Sequence, residues 1–251
     1  MFKFLRRIRF KLMEQNKIGK YFKYAIGEII LVVIGILIAF QLNNWNEKRK
    51  EDAELKEYLF KISQNVTQDI EQIGSLKIRR DTVRAQAIRS STALMERDFS
   101  NLKDLIRGQS VFQEFYFIPN KSGFEALKNS PFLGKINNTK VDSLLTLYYS
   151  LVDKTYQNEF SYNNFVENME AQLSTQVDMI PKEIVLIKSY NGEQISAQEY
   201  QDLLPFVQNN AFKMAVFRTM EDQTYLRNYK NLVETGKALT SEISSFGEEL
   251  N

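Results

Sequence analysis

"EIILVVIGILIAFQLNNWNE", residues 28–47, decides how the rest of the chain is read. From Ala25 to Leu42 the only ionisable residue is Glu28, and nearly all the others are aliphatic or small. That length stands at the short end of the roughly 17 to 25 residues a membrane-spanning helix needs. Tyr21 and Tyr24 precede the run and Trp45 follows it. Tyr24 and Trp45 lie about 32 Å apart at helical rise, which matches two interfacial aromatic belts around a hydrocarbon core of about 30 Å. A soluble core helix has no reason to space amphipathic rings in this way. A cleaved export signal would carry a shorter apolar region of about 7 to 15 residues and a small-x-small cleavage site. Here the run ends in Phe40, Gln41, Leu42 and Asn43, so the segment reads as an uncleaved signal anchor over 24–45.

Positive charge sets its expected orientation. Lys3, Arg6, Arg7, Arg9, Lys11, Lys17, Lys20 and Lys23 precede the span, whereas Lys48, Arg49 and Lys50 follow it among Glu47, Glu51 and Asp52. The excess of basic residues before the span predicts a cytoplasmic N-terminus and the bulk of the chain on the far side of the membrane, which in a diderm bacterium means the inner membrane and the periplasm. In the leader, residues 1–23, Met1, Leu5, Ile8 and Leu12 fall on one helical face, and Arg6, Arg7, Arg9 and Lys11 lie around it. That is the pattern of a helix lying among lipid headgroups, and equally that of an ordinary topological signal.

Glu28, Gly35 and Ala39 are spaced i, i+7 and i+11, within about 20° of one line on a straight helix. Gly35 and Ala39 form a small-xxx-small pair that admits a second helix, and an intramembrane carboxylate requires a partner. These three residues are the candidate packing face, for a second copy or another membrane protein. Alternatively, Glu28 lies only one turn inside the span and can reach the interface to pair with Lys20 or Lys23.

The chain of 251 residues contains no cysteine and no histidine. Disulfides, thiolate nucleophiles, imidazole bases, the usual zinc sites and haem ligation are thereby removed. No catalytic motif is present among the remaining carboxylates, lysines and hydroxyls, and four prolines and ten glycines leave few of the tight loops that carry catalytic sites. The expectation is a protein that is not an enzyme, with no metal or cofactor. A net charge of +2 gives no attraction to nucleic acid. The mean hydropathy of −0.36 describes a water-soluble body joined to one hydrophobic segment.

The body, residues 46–251, predicts as all-α. Leu55, Leu59, Ile62, Val66, Ile70 and Ile73 recur in steps of three and four, giving a long amphipathic helix, with coiled-coil character, that continues the membrane helix outward to about Asp98. From Phe99 to about Asn138 the sequence is irregular and aromatic-rich, "VFQEFYFIP" among it. These rings predict a plug at the end of a helical bundle, the other option being the lining of a ligand groove. Ser122 with Glu125, and Ser196 with Glu199, match capping boxes. Asn138 or Thr139 opens a long helix running to about Ile180, which Pro181 ends. "EIVLIKSYNGEQIS" has a β-branched run before Asn191-Gly192, predicting a small two-stranded ribbon or an extended loop. A final long helix follows Pro205. Together these elements predict one elongated domain, an antiparallel helical bundle with short helices at its ends.

The blocks "YAIGEIILVVIGILIAFQLNNWNE", residues 24–47, and "GFEALKNSPFLGKINNTKVDSLLTLYY", residues 123–149, resemble an uncharacterised family of bacterial single-span membrane proteins with helical extramembrane domains. The resemblance implies that Gly27-Glu28, the apolar run and Asn43-Asn44-Trp45-Asn46 act as a unit, and supports the topology and helical class. It implies no substrate. Pro131 departs from the pattern, standing where a glycine is usual.

Two functions compete. One is a membrane-anchored scaffold or interaction protein of the bacterial envelope, self-associating through the anchor and adjoining helix or docking on another membrane protein. The other is an extracytoplasmic sensor, whose small ligand would shift the bundle and signal through a separate membrane partner.

Overall fold

A computed structural model of the chain describes residues 18–97 and 102–250. Every regular element in it is helical. Helix α1 runs unbroken over Ile18–Glu96, 79 residues. After it come α2 (Leu102–Arg107), a 3-10 turn (Gly108–Phe112), α3 (Ser122–Lys128) and a second 3-10 turn (Leu133–Ile136). Helices α4 (Lys140–Gln176), α5 (Ile180–Asn191), α6 (Ala197–Gln201), α7 (Leu204–Gln208), α8 (Asn210–Glu221) and α9 (Thr224–Glu249) complete the chain. By its internal contacts the chain divides into two units, Met1–Glu57 and Tyr58–Asn251.

In the first unit, α1 exposes apolar side chains around its whole circumference from Ile26 to Leu42. Its most apolar 18-residue window has a mean hydropathy of 2.5 and none of it is buried, so by length and composition this helix can cross a membrane. Directly after the run, Asn43 donates to Glu47 at 3.0 Å and the Arg49 guanidinium lies over the Trp45 ring at 5.9 Å.

In the second unit, the buried face of α1 has a strict rhythm. Leu59, Ile62, Val66, Asp69, Ile73, Leu76, Arg80, Val83, Ala87, Ser90 and Leu94 alternate steps of three and four. A repeat of seven keeps one stripe against its neighbours along the whole helix. Helix α4 follows the same rhythm from Val141 through Leu145, Tyr148, Val152, Thr155, Glu159 and Tyr162 to Val166. So does α9, from Tyr225 through Tyr229, Leu232, Gly236 and Leu239 to Ile243. Pairings across α4 descend on one side as they ascend on the other: Lys140 meets Glu242, Glu159 meets Tyr229, and Gln176 meets Asn209. Gly236 permits the close approach, because a Cβ there would lie 3.0 Å from the Val66 side chain and 3.2 Å from that of Tyr148. Beyond Val83 the core is built from Ala87, Leu94, Leu105, Val111, Leu173, Phe206 and Phe212, with Phe206 and Phe212 at 4.9 Å between ring centroids.

Four local expectations are corrected. The segment expected as a ribbon or loop is helix α5. Pro181 falls in its first turn, where a missing N–H removes no helical bond, so the proline starts this helix after α4 has ended at Gln176. Asn191-Gly192 stops it instead of turning a hairpin. Gly192, at φ 72°, closes a Schellman motif in which the Glu193 N–H reaches the Lys188 carbonyl at 2.8 Å. The final helix is two, α8 and α9, parted at Asp222, whose backbone is extended and whose carboxylate accepts from the Thr224 N–H at 3.1 Å. Ser122 makes no capping box. Its hydroxyl donates to Asn65, and Asn120 accepts from the Ser122 N–H instead. The boxes and caps at Ser196 and Thr139 form as read.

Candidate functional site

Residues 113–121 cross the second unit without helix, and among the described residues there is no sheet for them to pair with. Phe115 and Phe117 point inward and are buried, while Glu114, Tyr116 and Ile118 point out. Alternation of period two is strand geometry, and its buried backbone groups require partners. Side chains of the flanking helices supply them. Asn163 accepts from the Phe115 N–H at 3.1 Å and donates to the Phe115 carbonyl at 2.8 Å. Glu159 accepts from the Phe117 N–H at 2.7 Å. On α1, Asp69 accepts from the Asn120 N–H at 2.9 Å and Asn65 from the Gly123 N–H at 2.8 Å. Each helix thus presents an asparagine and an acid four residues apart, one turn of a helix, as a pair of hooks. Gly123 is required by the closeness of this seating, since a Cβ would come within 2.8 Å of the Ile62 backbone nitrogen. The aromatic segment therefore lies along the helices at the level of Glu159 and Asn163, and does not plug their ends.

Behind this segment is a buried charged centre. Arg80, 5% exposed, bonds Asp222 at 2.9 Å and lies 3.6 Å from Glu159. Its guanidinium is also surrounded by rings, with centroids at 4.4 Å for Tyr225, 5.0 Å for Tyr162 and 5.2 Å for Phe115. Rings at that range stabilise a desolvated cation. The Tyr229 hydroxyl donates to Glu159, and the Tyr162 hydroxyl is bonded to Thr219 at 2.9 Å. Burial raises Glu159 above the ordinary glutamate range, partly offset by its bonds to Tyr229 and Phe117 and by Arg80. Burial also raises Tyr229 and Tyr225, and the neighbouring carboxylates Glu159 and Asp81 raise them further. Both phenols therefore stay protonated and act as donors. A cavity of about 50 Å³ adjoins this centre, lined among others by Arg80, Glu159, Arg218, Asp222 and Asn228. Among the described residues no group of three or more acids is placed to hold a metal ion.

The residues singled out from sequence fall elsewhere. Gly35 is open, with nothing within 4 Å of a Cβ built there, and it shares helix α1 with Glu28 and Ala39. Trp45 is exposed at the end of the apolar run. Tyr21 and Tyr24 lie on α1, and their side chains are outside what the structure describes. Arg6, Arg7, Arg9 and Lys11, with most of the leader, lie outside the described residues. The hooks and the Arg80 centre were missed by sequence reasoning. The signal for Asp69, Arg80 and Glu159 was a polar residue at a core position of a seven-residue repeat, whereas Asn65 and Asn163 stand beside that stripe.

No curated protein and no solved structure matches the chain. Residues 28–179 match one family, described as a family of unknown function, DUF6090. That match begins in the apolar part of α1 and takes in both pairs of hooks and Arg80. It spans well over half of the 251 residues, so the protein belongs to the DUF6090 family.

Proposed function

We propose that this protein is a non-enzymatic, single-span anchored helical scaffold or interaction protein of the bacterial envelope. The observation that carries the reading is the apolar stretch of α1 from Ile26 to Leu42, exposed on all sides and bounded by Trp45. Such a surface requires lipid or other helices around it. The second unit, read as an elongated antiparallel bundle, has long charged helices, and among the described residues its centre at Arg80 brings no serine, cysteine or lysine beside a base. The basic leader, with Arg6, Arg7, Arg9 and Lys11, supports an orientation with the N-terminus in the cytoplasm and the second unit in the periplasm. Self-association through Glu28, Gly35 and Ala39, or docking on another membrane protein, supplies the partner.

The absence of native cysteine makes the topology directly testable. Single variants K11C and K128C are labelled in intact spheroplasts with a membrane-impermeant maleimide. K128C should react in intact spheroplasts, and K11C only after permeabilisation. The reverse pattern, or recovery of the chain in the soluble fraction, overturns the reading. A ligand sensor acting through a separate membrane partner is the second reading, supported by the polar cavity beside Arg80.

A further inference from the structure

We infer that the cavity beside Arg80 is a binding site for a small oxyanion, of carboxylate to phosphate size, held by the Asn228 amide and the Arg218 guanidinium. This inference stands independently of the membrane topology.

The cavity, about 50 Å³, exceeds the roughly 10 to 15 Å³ that one water needs. Two of its lining groups are donors that no carboxylate among the described residues engages. Asn228 is 3% exposed, and its amide NH₂ is buried with no hydrogen-bond partner. Buried donors in folded proteins find acceptors, and one that has none within the chain marks a place where something else supplies it. Arg218 lies over the Phe165 ring at 5.9 Å and, among the described residues, forms no ion pair with a carboxylate. The carboxylates in the wall are engaged. Glu159 takes the Tyr229 hydroxyl on one oxygen and the Phe117 N–H on the other, and Asp222 takes Arg80 and the Thr224 N–H. A cation entering here would meet occupied carboxylates and two guanidiniums. An oxyanion would meet an unpaired guanidinium and an unsatisfied amide, the donors that bind such groups best. Arg80 lies between Asp222 and Glu159 and screens the incoming charge from both. Burial also holds Glu159 toward its neutral form, which removes part of the repulsion. Ser161 and Arg218 line both this cavity and an adjacent open groove, giving the site access from solvent.

The full-length protein in detergent is titrated with sodium acetate and with sodium phosphate, against sodium chloride at matched ionic strength, following the thermal midpoint. At least one oxyanion should raise the midpoint by roughly 2 to 4 °C beyond chloride at saturation. R218Q and N228L should each lose that rise while keeping the helical circular-dichroism signal. A response to acetate alone assigns a carboxylate ligand, to phosphate alone a phosphoryl group, and to both a general oxyanion site. No response beyond chloride, or a response that persists in R218Q and N228L, overturns the proposal. If N228L destabilises the fold, R218Q decides alone, because Arg218 is exposed and its loss leaves the core intact.

Discussion

Asn163 bonds both backbone groups of Phe115, accepting from its N–H at 3.1 Å and donating to its carbonyl at 2.8 Å. One side chain thus takes the place of a neighbouring strand. Asn163→Leu keeps the volume but leaves two buried backbone groups without partners, at about 1–3 kcal/mol each. A loss of about 2–4 kcal/mol in urea unfolding is expected. A loss below about 0.5 kcal/mol would mean that water takes over both bonds and that the hook holds nothing in place.

Arg80 tests the charged centre. Arg80→Met leaves Asp222 and Glu159 buried without their cation, and breaking a buried pair in this way costs about 3–5 kcal/mol. Adding E159Q and D222N to Arg80→Met removes the stranded charges and should restore a substantial part of the loss. If the triple variant is no more stable than Arg80→Met alone, the rings around Arg80 and not its ion pairs hold the centre together, since four aromatic side chains lie within cation–π range.

The buried acids give a pH dependence opposite in sign to that of ordinary salt-bridged carboxylates. Burial lifts Asp69 above its ordinary 3.8, with its bonds to Asn120 and Tyr148 opposing. Its raised folded value means that the folded chain binds more protons than the unfolded one between the two values. The contribution is therefore full below pH 3.8 and is lost as pH rises through the folded value. Half-buried Glu199, held down to about 2 by Lys188 and Ser196, acts in the opposite sense and loses its contribution only on acidification. Stability of the native chain relative to D69N should accordingly grow as pH falls from about 7 toward 4. A gap that narrows on acidification would show that the bonds to Asn120 and Tyr148 outweigh burial.

Much of this arrangement is visible in the residue spacing, and the exceptions have physical reasons. Steps of three and four from Leu59 mark α1, but the inward residue in the third turn is Asp69 while Ile70 is only half-buried. A hydrophobicity pattern assigns the apolar residue to the core. The structure places the acid there because Tyr148 and Asn120, 79 and 51 positions away, complete its hydrogen bonds. Arg80 and Ser90 likewise continue the repeat as polar residues and read as its interruption. Asp222 breaks the last helix through a bond to Arg80, 142 positions distant, which no local propensity records. In α5 the β-branched residues suggested a strand, yet Pro181 and Gly192 are a proline at the start and a glycine just past the end of a helix. Local punctuation was legible there and was outweighed by composition.

The proposed packing face in the span makes the last prediction. Gly35 has nothing within 4 Å of a Cβ, so α1 has room at that point for a second helix. Ala39 one turn later keeps the same strip low, and Glu28 stands on the same line. In hydrocarbon no hydrophobic force drives helices together, so close backbone approach and a shared polar contact must do so. Gly35→Leu fills the approach and Glu28→Leu removes the polar contact, while both raise the hydropathy of the span and leave insertion intact. The native chain in detergent should therefore sediment as an oligomer and the E28L/G35L double variant as a monomer. Ile34→Leu with Leu37→Ile, conservative changes off that line, should leave the native state of association. An unchanged mass in the double variant would leave Glu28 as an interfacial residue and move any self-association to the helices of the second unit.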